Sequence, residues 1–285
     1  MSATTLTLQA PAKLNLFLHV TGRREDGYHE LQTLFQLLDF GDTLEFTSVE
    51  DGTLSLQLAP DPLSQSVPTQ DNLIIRAAKA LLLLAAGQEL GACITLTKRI
   101  PLGAGLGGGS SDAAATLIGL NTLWRLGLTA QELCKIGVQL GADLPVFIRG
   151  KSAWGEGIGE RLQALELEPA WYLVATPDCL VSTAEIFSQE NLTRNSPTIK
   201  IADFLAGRAR NDCEPITRKL YPEVDETLTV LSQFGNARMT GTGSSIFLSF
   251  RDEASAADVR AKLPPEMRIF VARGINSQVH SFSHS

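Results

Sequence analysis

The hydrophobic pattern along the chain changes period several times, and each change marks an element. From Lys13 to Val20 the chain alternates, with Leu14, Leu16, Leu18 and Val20 on one side and Lys13, Asn15, Phe17 and His19 on the other. A period of two is the signature of a strand, so residues 6–20 are expected to be extended, with a break or bulge near Pro11. The leucine face reads as core, and the other face sets a lysine and an asparagine side by side. Asp26-Gly27 is turn chemistry, and further strand signals follow at 42–47 and 52–58. A polar, proline-containing loop over 59–70 leads to Asp71, the expected cap of an apolar helix over 73–86.

A strand over 92–97 precedes a glycine-rich stretch and an alanine-rich helix over 113–126. Thr129 and Glu132 form a capping box for the next helix, which Gly141 ends. That places Asp143 in a turn before an expected strand over 145–148. After Gly155, Gly157 and Gly159 the pattern restarts with a strand over 172–175, a helix over 184–189 and a longer helical stretch over 215–234. Strands over 237–240 and 246–250, a helix over 254–263 and a strand over 268–272 complete it. This second half reads β-α-β-β-α-β, a split βαβ arrangement. The whole is expected to be α+β with two domains, 1–158 and 159–285.

Composition narrows the partners. The 285 residues are 44% hydrophobic and 19% charged, the profile of a globular chain. At this length about three quarters of the unfolded surface is buried, so no disulfide or metal is needed to hold the fold. With 24 Lys+Arg against 31 Asp+Glu the net charge is −7, which gives no generic attraction to nucleic acid or anionic lipid. Cys93, Cys134, Cys179 and Cys213 are scattered without a CxxC pair, so free thiols in a reducing cytoplasm are expected rather than a zinc site. The longest apolar run, 80–86, is far short of a bilayer span. The N-terminal Met1-Ser-Ala-Thr-Thr carries no targeting signal.

Candidate chemistry concentrates between Pro101 and Asp112. Gly103, Gly105, Gly107, Gly108 and Gly109 lie within seven residues and run into Ser110, Ser111 and a helix start. Glycine allows positive φ and close approach of a ligand to the backbone, while a helix N-terminus offers unpaired N–H groups and partial positive charge. Together they make an anion cradle, most often for phosphate. Gly103, Gly105 and Gly108 match GxGxxG, but a Rossmann unit requires a second strand with an acid about 20 residues on. That distance lands in a helix start at 129–132. A Walker A loop requires a lysine after its glycines, and none follows here. A packing turn would be satisfied by one or two glycines, so phosphate binding is the better reading.

At this point the residues resemble a known family. Pro101-Leu-Gly-Ala-Gly-Leu-Gly-Gly-Gly-Ser-Ser-Asp-Ala113 is similar to the phosphate-binding motif of the GHMP kinases (galactokinase, homoserine kinase, mevalonate kinase and phosphomevalonate kinase). Pro11-Ala-Lys-Leu-Asn15 resembles their first motif. Met239-Thr-Gly-Thr-Gly-Ser-Ser-Ile-Phe247 resembles the third, with threonine at two positions where serine is commoner. Asp26-Gly-Tyr-His29, Gly141-Ala-Asp-Leu-Pro-Val-Phe147 and Ser182-Thr-Ala-Glu-Ile-Phe187 occur in the order of the branch whose substrate carries a cytidine diphosphate. The likeness covers nearly the whole chain, least over 189–204.

The resemblance implies an N-terminal domain like the second domain of ribosomal protein S5, a ferredoxin-like C-terminal domain, and an active site in the cleft between them. It implies transfer of the γ-phosphoryl group of ATP, with Mg²⁺, to the 2-hydroxyl of a cytidine-diphosphate-linked methylerythritol of the non-mevalonate isoprenoid route. Asp143 would be the general base, with Lys13 beside it. The bland readings are a loop aspartate capping local N–H groups and a lysine on a solvated strand face. Pro101, Leu102, Gly103, Ala104, Gly105, Leu106, Gly107, Gly108, Gly109, Ser110 and Ser111 would hold the nucleotide, with Asn72 and Lys98 lining its pocket. Asn15, Tyr28, His29, Thr183, Phe187, Gly241 and Thr242 would face the substrate, Tyr28 and His29 meeting the cytosine and Phe187 closing over it. Ser111 or Asp112 would approach the metal. The rivals are another small-molecule kinase of the family and a non-catalytic nucleotide-binding protein; retention of both Lys13 and Asp143 speaks against the second.

Overall fold

A computed structural model describes residues 4–85 and 89–278, with the backbone of 283–284. The chain opens with an antiparallel hairpin of two long strands, β1 (Thr5–Arg23) and β2 (His29–Val49), turned at Asp26-Gly27. Asp26 Oδ1 accepts the Tyr28 N–H at 3.1 Å, and Gly27 has φ +88°. The register slips between Pro11 and Lys13, between Asn15 and Leu18 and between Val20 and Gly22. The first slip is the expected bulge, where a residue without an N–H costs the ladder least. Both faces of β1 are buried, Lys13, Asn15 and His19 included: Leu18 and Val20 join the core of the later half, while Phe17 on the other face packs on the Trp154 and Phe204 rings. The first part of β2 gave no sequence signal, since Leu34, Phe35, Leu37 and Leu38 come in pairs and are all buried.

Next come β3 (Leu54–Leu58), a short helix α1 (Pro62–Gln65) inside the expected loop, α2 (Leu73–Leu84) and β4 (Gly91–Thr97). The cap of α2 is Asn72 rather than Asp71: its side chain accepts from the Ile74 N–H, while Asp71 takes φ +58°. Ala86, the expected last helical residue, lies outside the described residues. Helix α3 (Gly108–Leu123) starts five residues earlier than its alanine run, so the last glycines form its first turn. The expected capping box opens α4 (Ala130–Leu140). The expected strand over 145–148 is instead helix α5 (Leu144–Arg149), with Asp143 at its N-cap. Pro145 belongs in a first helical turn, where its missing N–H costs nothing, and a short apolar run has no period to tell helix from strand.

The glycines at 155–159 belong to a hairpin of β5 (Ala153–Gly157) and β6 (Arg161–Ala164), with β5 paired to β2. After β7 (Trp171–Ala175) come α6 (Thr183–Ser188), α7 (Ile201–Leu205), α8 (Glu214–Leu220) and α9 (Pro222–Ser232). The stretch expected as one helix over 215–234 breaks at Tyr221, as the residue before a proline resists helical dihedrals. Strands β8 (Arg238–Met239) and β9 (Ile246–Phe250), helix α10 (Glu253–Arg260), β10 (Ile269–Ile275) and β11 (Ser283–His284) end the fold.

The strands follow the order β11-β1-β2-β10-β7-β9-β8. The last four, antiparallel as β10-β7-β9-β8, are the expected split βαβ sheet. Among the described residues, the pairs Gly274 opposite Leu38 and Ile275 opposite Leu37 join it to β2. One core packs α2–α5 on the first sheet, a second fills the later half, and a third, around Leu14, Phe17 and Phe247, lies at the junction. No described helix is long and apolar enough to cross a membrane, and all four cysteines are free.

Helix α3 lies against the sheet because Gly119 leaves room for Phe46: a Cβ there would come within 2.6 Å of the buried ring. Overfilling a tight core contact costs about 1–3 kcal/mol. Gly119→Val is therefore expected to lower unfolding stability by about that amount, read as a reduced urea midpoint at unchanged slope.

Candidate active site

A cavity of about 940 Å³ opens between the two halves, with the glycine-rich loop at one end and Tyr28, His29 and Phe187 at the other. The loop is built by alternation: Ala104 and Leu106 are buried, and Gly103, Gly105 and Gly107 take φ of +62°, +72° and +74°. Packing against protein also requires these glycines. A Cβ on Gly105 would sit 2.6 Å from the carbonyl oxygens of Thr240 and Gly243, and one on Gly107 would sit 2.8 Å from the Phe147 ring. Gly109 differs, since the only atom within 4 Å of its Cβ position is a Leu73 methyl at 3.9 Å. It is the point where a ligand has room against the backbone. Gly107 caps α3, and Ser111 N–H is the first to find a helical partner, on Gly107 O. The N–H groups of Gly108, Gly109 and Ser110 therefore stand at the positive end of a 16-residue helix.

Lys13 is the hub beside this loop. Its backbone N–H donates to Leu106 O at 3.0 Å. Its ammonium donates to Asn15 Oδ1 at 2.6 Å and to Gly105 O at 3.1 Å, and stands 3.4 Å from Asp143 Oδ2. The lysine side chain is almost fully buried, whereas a third of the Asp143 side chain is open to the cavity. Asn15 is anchored in turn: its N–H donates to Thr240 Oγ1 and its amide to Thr33 Oγ1, which donates to Phe17 O. Thr242 shares a hydrogen bond with Thr183 at 3.0 Å. Both threonines that replace the commoner serines thus use their hydroxyls.

Lys98 touches the cavity from beneath the loop. Its ammonium is held by Asp42 and by Asp112 Oδ2 at 2.8 Å, all three side chains being buried. Burial works against the charged ammonium, but Asp112 and Asp42 outweigh it and raise its pKa. Two carboxylates share this one cation. Asp42 Oδ1 also accepts the N–H groups of Arg99 and Ile100, whereas Asp112 Oδ1 has no partner. The proton therefore belongs on Asp112, whose carboxyl is pushed up to about 8 by burial and by the Asp42 charge, against the pull of Lys98. Ser111 lies in the same buried turn with its hydroxyl unpartnered, and it is Ser110 that lines the cavity. Asn72 caps α2, donates to Pro68 O and does not line the cavity; its neighbour Leu73 does.

At the far end, Tyr28 is exposed and lines the mouth. The His29 and Phe187 rings stack on each other, with centroids 4.9 Å apart and planes inclined by 27°. Burial, Arg194 and Arg23 hold the His29 pKa below its usual value. Three residues here escaped the sequence reading. Arg194 donates to His29 Nε2 at 3.0 Å. Asn211 fixes the 239–241 turn by donating to Met239 O and Gly241 O. Asp42 anchors Lys98. Each is a lone polar residue that reaches at least one partner far off in sequence or a backbone carbonyl; Asp42 alone left a trace, as an acid at the start of an apolar strand.

Residues 72–151 match the family description "GHMP kinases N terminal domain", and residues 192–268 match "GHMP kinases C terminal". The chain is 52% identical over 279 residues to 4-diphosphocytidyl-2-C-methyl-D-erythritol kinase of Pseudomonas paraeruginosa, covering 98% of this chain and 97% of that one. A solved 4-(cytidine 5'-diphospho)-2C-methyl-D-erythritol kinase superposes with a TM-score of 0.77 at 34% identity, over 94% of this chain and 98% of that one. A solved mevalonate kinase gives a TM-score of 0.71 at 18% identity over 95% and 99%, a likeness of fold alone.

The raised Asp112 pKa has a sign. Below about pH 4 the carboxyl is protonated both folded and unfolded. From there up to about 8 only the folded chain holds the proton, so stability drains as pH rises through that window. Asp112→Asn removes this group from the titration. Urea midpoints at pH 5 and pH 8 are expected to fall in the wild type by more than in the variant. An equal fall in both would mean that Asp112 is not the protonated partner.

Proposed function

Because the chain belongs to the GHMP kinases, we propose that it transfers the γ-phosphoryl group of ATP to the 2-hydroxyl of 4-diphosphocytidyl-2-C-methyl-D-erythritol, a step of the non-mevalonate route to isoprenoid precursors. The observation that carries this reading is the Lys13–Asp143 pair inside the cavity, set between a phosphate cradle and an aromatic–imidazole wall. A phosphate donor fits the first end. A nucleobase fits the second, where Tyr28 offers a stacking face and His29 a polar edge. The distance between them is spanned by a substrate that carries its acceptor hydroxyl on one arm and a base on the other.

Asp143 is the group we assign to the proton. Its carboxylate is open to the cavity and stands at the N-terminus of α5, where negative charge is favoured. It would accept the proton of the 2-hydroxyl as the oxygen attacks phosphorus, a contribution of about 10²–10⁴-fold. Lys13 stands 3.4 Å from the Asp143 carboxylate and would face the negative charge of the transferring group. Its own position is set by Asn15 Oδ1 and Gly105 O, so the cation is already in place when the substrates arrive. The Gly108, Gly109 and Ser110 N–H groups would hold phosphate oxygens. No covalent enzyme intermediate is needed; positioning and electrostatics supply the rate.

Mg²⁺ would neutralise phosphate charge on the bound nucleotide. Among the described residues no three His, Cys, Asp or Glu side chains gather around an ion, and Mg²⁺ commonly takes only one or two carboxylates beside phosphate and water oxygens. Ser110 and Asp143 both line the cavity beside the cradle and carry oxygens that would approach such an ion.

Asp143→Asn and Asp143→Ala are expected to retain ATP binding by calorimetry while turnover falls at least about 100-fold. Near-normal turnover in both would remove Asp143 from the mechanism. The substrate is tested separately with the wild type. Phosphorylation of the cytidyl substrate is expected, with none of homoserine or mevalonate; the reverse preference would overturn the assignment.

A further inference from the structure

The segment 189–204 carries no recognisable motif, yet one of its side chains is more fully committed than any other arginine described. A guanidinium has five N–H donors and no acceptor. Arg194 uses all five. Nη2 donates to Phe187 O at 2.9 Å and Gln189 O at 2.8 Å, and Nη1 donates to Leu192 O at 3.2 Å and Glu190 O at 3.3 Å. Nε donates to His29 Nε2 at 3.0 Å. Four of these bonds close the chain into a loop after α6; the fifth reaches the β1–β2 turn, 165 residues away in sequence.

The fifth bond decides the chemistry of the imidazole. A donor that cannot accept must meet a lone pair, so His29 Nε2 carries no proton. A neutral ring then bears its hydrogen on Nδ1, and a charged ring would set N–H against N–H. We propose that Arg194 is a positioning residue for base recognition: it fixes His29 as the neutral Nδ1–H tautomer, so that the ring presents the cavity with a donor. The ligand group that fits a fixed donor is an acceptor, which a pyrimidine supplies at its ring nitrogen or carbonyl edge. The same guanidinium holds the carbonyl of Phe187, whose ring stacks on His29. One side chain thereby orients both the ring that reads the base and the ring that supports it.

The surroundings agree. His29 is buried and lines the cavity, and no hydrogen bond from Nδ1 to protein occurs among the described residues. The charges about the ring are Arg194 and Arg23, both opposing protonation. The flanking carboxylates are engaged elsewhere: Asp26 and Glu30 with Arg24, and Glu185 of α6 with the Tyr221 hydroxyl. Lysine does not replace this residue, because a point charge lacks the planar fork that meets five acceptors at once.

The proposal rests on the cytidine reading of the substrate, and its test separates the two. Nitrogen-15 NMR of histidine-labelled, ligand-free protein reads the tautomer directly, with His29→Asn identifying the signal among four histidines. The wild type is expected to show a neutral Nδ1–H ring at pH 7. In Arg194→Met and Arg194→Lys the ring is expected to lose that preference. KM for the cytidyl substrate and Kd for CDP should rise about tenfold or more, while kcat and KM for ATP stay within about threefold. A loop that was merely loosened would raise KM without altering the tautomer. If Arg194→Met does not fold, the wild-type spectrum and Arg194→Lys decide. An Nε2–H or charged His29 in the wild type, or an unchanged tautomer in the variants, would overturn the proposal. A wild type with the expected tautomer but no affinity for CDP would overturn the cytidine reading and leave the Arg194–His29 assignment standing.

Discussion

Two glycine-bearing backbones meet across the cavity with no space for a side chain between them, and the site depends on that contact. Gly105 approaches the carbonyls of Thr240 and Gly243 so closely that a single methyl would separate them. Around it, Ser245 N–H donates to Ala104 O, Asn15 N–H to Thr240 Oγ1 and Lys13 Nζ to Gly105 O. Each of these bonds joins a segment of the first half to one of the second, or β1 to the glycine-rich loop. Beneath them the Asp42–Lys98–Asp112 cluster ties the first turn of α3 to the sheet. The Lys13–Asp143 pair therefore inherits its geometry from backbone packing that side-chain motion cannot relax.

The long elements were legible because one force dominates each of them. Alternation marked β1, an apolar run with a cap marked α2, and Thr129 with Glu132 marked α4. The reading failed where local signals conflicted or were silent. The run at 145–148 is too short to have a period, and only the meaning of Pro145 in a first turn separates α5 from a strand. The start of β2 is buried on both faces, so it shows no alternation. Asp71 and Asn72 are both good caps, and the backbone, with Asp71 at φ +58°, chose the second.

The site divides in the same way. The glycine loop, Lys13 and Asp143 announce themselves through local composition or motif, and the fold brings them within a few ångströms of one another. Lys98 lines the cavity as expected while held between Asp42 and Asp112, whereas Asn72 caps a helix and does not line it. Arg194, Asn211 and Asp42 were silent because their partners are backbone carbonyls or residues far away in sequence. The net charge of −7 misleads if read alone, since the ligands proposed are polyanions. Their attraction is local, from helix N–H groups and one buried ammonium, at distances where the charge of the whole surface is screened.

The two ends of the cavity are made of different materials. The cradle is backbone, with Gly105 and Gly107 admitting no substituent and N–H groups that every residue type but proline would supply alike. The opposite wall is side chain: an exposed tyrosine, a histidine held by one arginine, and a phenylalanine. Point mutation can rewrite the second wall residue by residue but can only damage the first. A lineage built on this architecture is thus free to exchange the molecule it modifies while the phosphate donor stays the same, and its history of specificity will be written almost entirely at one end of one cleft.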